Sequence, residues 1–138
     1  MLKNILIIFL IFSSIVSSGT LPPNPIMFVT QYPIIADFTT IGSTFGNHKA
    51  TMQSVARGGD LYIRYPDGTL RNLTREAGYG NTGHQGINAI AVRDPTVHWD
   101  GTKALFSMVI GAPEQFDYNE YYWQMYEITG FGQGQTIQ

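Results

Sequence analysis

Along most of the chain, apolar and polar residues alternate in short runs punctuated by glycine and proline, the pattern of strands joined by tight turns rather than of helices. The clearest run is Leu61-Tyr62-Ile63-Arg64-Tyr65, in which Leu61, Ile63 and Tyr65 share one face. Pro66-Asp67-Gly68 comes next, a turn signal in which proline sets φ and Asp-Gly tolerates positive φ. Alternation resumes over Thr69 to Thr74, with Leu70 and Leu73 as the expected buried positions. These residues predict a β-hairpin. A second hairpin is predicted around Asp100-Gly101: Thr96 to Trp99 leads in, and the strand-like run Lys103 to Ile110 leads out. Further strands are expected over Ile26 to Thr30, Ala89 to Arg93 and Tyr121 to Thr129, with Asp94-Pro95 separating two short ones. The stretches 34–53, 77–88 and 111–119 read as loops, and residues 130–138 as a trailing end. No part of the chain after residue 18 carries an apolar stripe of helical period over three turns.

The first residues obey a different pattern. Lys3 is followed by the unbroken apolar stretch Ile5 to Phe12, then by small and polar residues, with Val16 and Ser18 ahead of Gly19. This is the layout of a secretory signal peptide, and its apolar core is shorter than the roughly 20 residues that span a bilayer. The expected organisation is a signal peptide over 1–18, a proline-rich linker over 19–25 and one β domain over 26–138, placing the protein in the periplasm or outside the cell.

Composition narrows the picture. Of 138 residues, 43% are hydrophobic and 13% charged, below the roughly 25% charged of ordinary soluble domains. With 13% aromatics the chain has the material for a core and lacks the signature of disorder. A net charge of −2 supplies no basic field for nucleic acid. The absence of cysteine excludes disulfides, thiolate metal sites, covalent haem attachment and a lipid anchor on cysteine in the sequence as given.

Two segments look alike. Asp60-Leu61-Tyr62-Ile63 leads to Asp67-Gly68, and Gln124-Met125-Tyr126-Glu127-Ile128 leads to Thr129-Gly130. Between them, His98-Trp99-Asp100-Gly101-Thr102-Lys103-Ala104-Leu105-Phe106-Ser107 resembles the hairpin of TolB-type β-propeller repeats. In those repeats an aromatic precedes an Asp-Gly turn, and a Lys-apolar-apolar-Phe-Ser strand comes after it. The Ser-Pro of that pattern is absent here, Asp100 directly following Trp99. The stretch from Gly58 to Tyr126 is also similar to the middle propeller domain of the hydrazine synthase alpha subunit. The resemblance implies an all-β fold, an incomplete β-propeller of about one and a half to two blades, since a blade takes roughly 40 residues and a closed propeller four to eight blades. The chain is then expected to be part of a larger protein. A small self-contained β-sandwich or open sheet is the alternative reading.

Candidate chemistry is sparse. His48, His84 and His98 show no metal-ligand spacing. Among Asp37, Asp60, Asp67, Asp94, Asp100 and Asp117, four adjoin glycine or proline, where aspartate stabilises turns by bonding its own backbone. Ser43, Ser54 and Ser107 lack a nucleophile elbow, and the glycine-rich run 78–83 lacks the lysine of a phosphate loop. Asn72-Leu73-Thr74 matches a glycosylation acceptor but lies in a predicted strand. The aromatics Phe116, Tyr118, Tyr121, Tyr122, Trp123 and Tyr126 are expected to form core between blades, a carbohydrate- or protein-binding platform being the sharper reading. No catalytic, cofactor-binding or metal-binding residue is assigned, and no cofactor is expected. The expected partners are proteins or the remainder of a longer chain, with no nucleic acid and no membrane after signal cleavage. A binding or scaffold role comes first. The structural middle portion of a periplasmic, haem-associated redox protein comes second, and a hydrolytic propeller third.

Overall fold

The computed structural model describes residues 20–31, 55, 57–80, 88–111 and 121–138. The signal peptide and the 34–53 loop lie outside them, as do His48, His84, Asp37, Asp117, Ser43, Ser54, Phe116 and Tyr118. The described residues form β1 (Ile26–Val29), β2 (Leu61–Arg64), β3 (Leu70–Asn72), the one-turn helix α1 (Leu73–Glu76), β4 (Ile90–Val97), β5 (Lys103–Ile110) and β6 (Gln124–Thr129). They make two antiparallel sheets of three strands, ordered β1-β2-β3 and β4-β5-β6. The protein is therefore predominantly β, as the alternation predicts.

Both predicted hairpins form, and their turns share one design. Asp67 Oδ1 accepts the Thr69 N–H at 2.9 Å, and Asp100 Oδ1 accepts the Thr102 N–H at 2.9 Å. Gly68 N–H closes onto Tyr65 O at 2.9 Å and Gly101 N–H onto His98 O at 2.8 Å. Both glycines stand at positive φ, 88° and 72°, where a side chain would be strained.

Three expectations are corrected. The segment Thr69 to Thr74 is not one strand: β3 ends at Asn72, whose side chain accepts the Arg75 N–H at 2.9 Å and caps α1. That cap turns the chain, so Leu73 enters the core while Leu70, opposite Arg64, faces outward and is 54% exposed. The two short strands flanking Asp94-Pro95 are one strand, β4, with a bulge between Arg93 and Thr96. Arg93 pairs with Ser107 but Thr96 with Leu105, so one extra residue is absorbed there, and Asp94 takes it up at φ 53°. The end of the chain does not trail. Gly130 turns at φ 72°, Phe131 is buried, and Gln138 returns to bond Thr129.

Period-two alternation builds one core between the two sheets. Leu61, Ile63 and Tyr65 face Ile90, Val92, Ala104, Phe106, Met108 and Ile128, with Leu73 and Phe131 closing the ends. Each large aliphatic side chain buried this way contributes on the order of 2 kcal/mol. The leading strands of the two sheets, β1 and β4, lie against each other. Tyr65 locks the seam: its hydroxyl donates to the Phe131 carbonyl and accepts from Arg71 Nη1 at 3.0 Å. Arg71 Nη1 also donates to Gly132 O at 2.9 Å, and the same guanidinium grips Glu76 through Nε and Nη2.

Candidate functional site

The opposite face of the second sheet is only half covered. Near the β4 start and β5 end, Ala91 and Val109 are buried with Val55 beneath Tyr121 and Trp123. The buried Arg57 holds this end together, Nε donating to Gly111 O at 2.7 Å and Nη1 to Val55 O at 2.9 Å. Burial lowers the pKa of its guanidinium. Arg93 lies over the Trp123 ring, 4.0 Å from its centroid. Toward the Asp100 turn the cover ends. Leu105 on β5 and Met125 on β6 stand exposed on the same face, Met125 at 75%, bordered by the Lys103–Glu127 ion pair at 3.3 Å.

The aromatic candidates do not gather into one platform. Trp123 and Tyr121 pack on the outer cluster, whereas Tyr126 points inward, stacked on Phe106 at 5.8 Å and edge-on to Tyr79 at 6.2 Å. Burial raises the Tyr126 phenol pKa, with Tyr79 adding to it. Tyr122 is 67% exposed, so the aromatic run is not wholly core. Trp99, 90% exposed, stands at the far end of β5, about 20 Å away by strand rise. A cavity of about 290 Å³ opens beside Tyr79, Phe106, Tyr126, Ile128 and Ile137.

The charged candidates are structural in their contacts. His98 packs obliquely on Trp99 at 5.5 Å, with Nδ1 2.9 Å from Asp100 Oδ1. Hydrogen bonds from Thr102, side chain and backbone, pull the Asp100 pKa down to about 2, assisted by His98. Asp67 is lowered too, chiefly by the hydrogen bond from the Thr69 amide. Asp60 is not a turn residue of this kind. It is buried, with Oδ1 accepting from Thr74 Oγ1 at 2.8 Å and Oδ2 from Asn72 Nδ2 at 3.0 Å. Asn72 also donates to Tyr62 Oη at 3.0 Å, so the amide of the glycosylation-like triplet is engaged inside the fold, and Thr74 is buried.

Among the described residues, no three His, Asp or Glu side chains converge as a metal site would require, and no helix is long and apolar enough to cross a membrane. The Arg57 clamp and the Asp60–Thr74–Asn72 network have no local signal in the sequence to reveal them. The Asp-Gly-Thr triplet repeated at 67–69 and 100–102 does, and it marks the one element the two sheets share. In comparisons with known proteins, no family model matches the chain, and no curated protein or solved structure matches it either.

Proposed function

We propose that the chain is an exported β-propeller module of TolB type, whose two sheets are successive blades and which acts through protein–protein contact without a catalytic site of its own. The observation that carries this reading is the repeated unit. Each sheet is antiparallel, and its last or first hairpin carries an Asp-Gly-Thr turn in which the Asp side chain accepts the Thr amide and the Gly N–H closes onto the carbonyl three residues before it. Repetition of one supersecondary unit, with neighbours sharing a core, is the logic of blade arrays. The uncovered part of the second sheet supports the binding role, because Leu105 and Met125 offer apolar surface on one face and Trp99 stands exposed in the β4–β5 turn.

Site-specific photo-cross-linking in the native host tests this. A cross-linking residue at Leu105 or Trp99 is expected to give discrete protein adducts, and one at exposed Arg75 on α1 is expected to give none. Equal labelling from all three positions, or none from any, contradicts a dedicated interaction face. N-terminal sequencing of the same material is expected to begin at Gly19 or within a few residues of it, and a retained Met1 contradicts export by signal cleavage.

A further inference from the structure

Tyr79 follows α1 at the end of the first sheet, and Tyr126 lies on β6 of the second. Their rings meet edge-on, centroids 6.2 Å apart at 67°. Among the described residues this is the one ring contact between two tyrosines. Both rings are held in place. The Tyr79 N–H donates to Thr74 O at 2.9 Å, and the next residue, Gly80, packs so closely that a Cβ there would stand 2.7 Å from Asp60 Oδ1. Tyr126 stacks on Phe106 at 5.8 Å, and its hydroxyl donates to Gln124 Oε1 at 3.1 Å. Tyr79 is exposed, Tyr126 is partly so, and a cavity of about 290 Å³ opens beside both. An oxidant in solvent therefore reaches the pair, and the rings have room to swing together. The chain has no cysteine, so a covalent link between the sheets cannot be a disulfide.

We propose that Tyr79 and Tyr126 form a site of oxidative modification, coupling into a dityrosine that staples the two sheets. The oxidant is hydrogen peroxide used by a haem peroxidase. Each phenol gives up one electron and its hydroxyl proton. The two radicals join in a C–C bond between the ring carbons ortho to the hydroxyls, and the hydrogens on those carbons return through solvent to the oxygens. Peroxide takes up the two electrons and two protons and leaves as two waters, so the chain loses two hydrogens. Contact selects this pair. Two rings held together meet at an effective concentration that separate chains do not reach. Tyr122 is more exposed but makes no tyrosine contact among the described residues, so its radical couples between chains instead. This modification is separate from the binding role and holds whether or not that role does.

The test treats the full chain with a haem peroxidase and hydrogen peroxide and isolates the monomer on a denaturing gel. Its intact mass is expected to fall by two hydrogens, and peptide mapping is expected to join the Tyr79 and Tyr126 peptides. The yield of this monomer product is expected to stay constant on dilution, as an intrachain reaction requires. Tyr79→Phe and Tyr126→Phe keep the rings and remove the phenols, and each is expected to abolish the linked peptide. Tyr122→Phe is expected to leave it unchanged while reducing links between chains. Treatment in denaturant is expected to lower the Tyr79–Tyr126 yield about tenfold or more, because the contact belongs to the fold. Coupling only between chains, a monomer product that joins other tyrosines, an undiminished yield in denaturant, or no dityrosine at all overturns the proposal.

Discussion

Asp67 and Asp100 hold equivalent places in the two hairpins, each accepting at 2.9 Å the amide of the threonine two residues later. Both carboxylates are solvent-exposed turn devices whose folded pKa lies below the ordinary aspartate value of about 3.9. A depressed pKa means the ionised form is the one the fold favours. The stabilisation is therefore present above about pH 4 and is lost as the pH falls through the folded value, about 2 for Asp100. Thermal melting between pH 5 and pH 2 is expected to show a falling Tm. In Asp100→Asn, which keeps the acceptor oxygen without the titration, the slope over about pH 4 to 2 is expected to flatten. An unchanged slope in that variant contradicts the assignment.

The tail from Gly130 to Gln138 is held at several points, and two of them make separate predictions. Tyr65→Phe removes the hydroxyl that donates to the Phe131 carbonyl, leaving that carbonyl and Arg71 one partner short, and is expected to cost about 1–2 kcal/mol in denaturant unfolding. Gly130→Ala drives a Cβ into the Thr136 carbonyl oxygen as well as straining a backbone at φ 72°. The tail then cannot return to β6. Hydrogen exchange is expected to show the Thr129 and Gln138 amides unprotected in Gly130→Ala, with β4 and β5 protection retained.

Asp60 distinguishes a buried network from a surface turn. Asp60→Ala takes a buried acceptor from both the Thr74 hydroxyl and the Asn72 amide, which keep only their bonds to Asn72 Oδ1 and Tyr62 Oη, and is expected to lower stability by about 2–3 kcal/mol. Asp67→Ala, at the exposed hairpin, is expected to cost clearly less. Equal costs in equilibrium unfolding would contradict the difference in burial on which the comparison rests.

Legibility in the sequence tracks the range of each interaction. The hairpins at Asp67-Gly68 and Asp100-Gly101 are local events, set by turn chemistry and by alternation in the flanking residues, and both are readable. Asn72 is ambiguous because its capping role depends on the residues after it: the side chain that continues a strand by alternation also accepts the Arg75 amide and starts a turn of helix. The β4 bulge is half visible, since Asp94-Pro95 signals a break but not that Thr96 resumes pairing with the same partner strand. Arg57, 54 residues from the carbonyl it binds, and Tyr65, 66 residues from Phe131, belong to contacts that only the folded chain brings together. The exposed Leu105 and Met125 are equally hidden, because alternation tells which residues share a face and not whether that face is covered.

The two sheets share a core but leave apolar side chains exposed: Leu105 and Met125 on the second sheet, Tyr122 just before β6, and Ile26 and Leu70 on the first. Multi-angle light scattering of the purified chain across a range of concentrations, paired with thermal melting, decides whether that surface needs a partner. Concentration-dependent association, or a broad transition without cooperativity, is expected, because the surface stays uncovered when the chain is alone. A monodisperse monomer at all concentrations with a single sharp transition would contradict the reading of the chain as two blades awaiting neighbours.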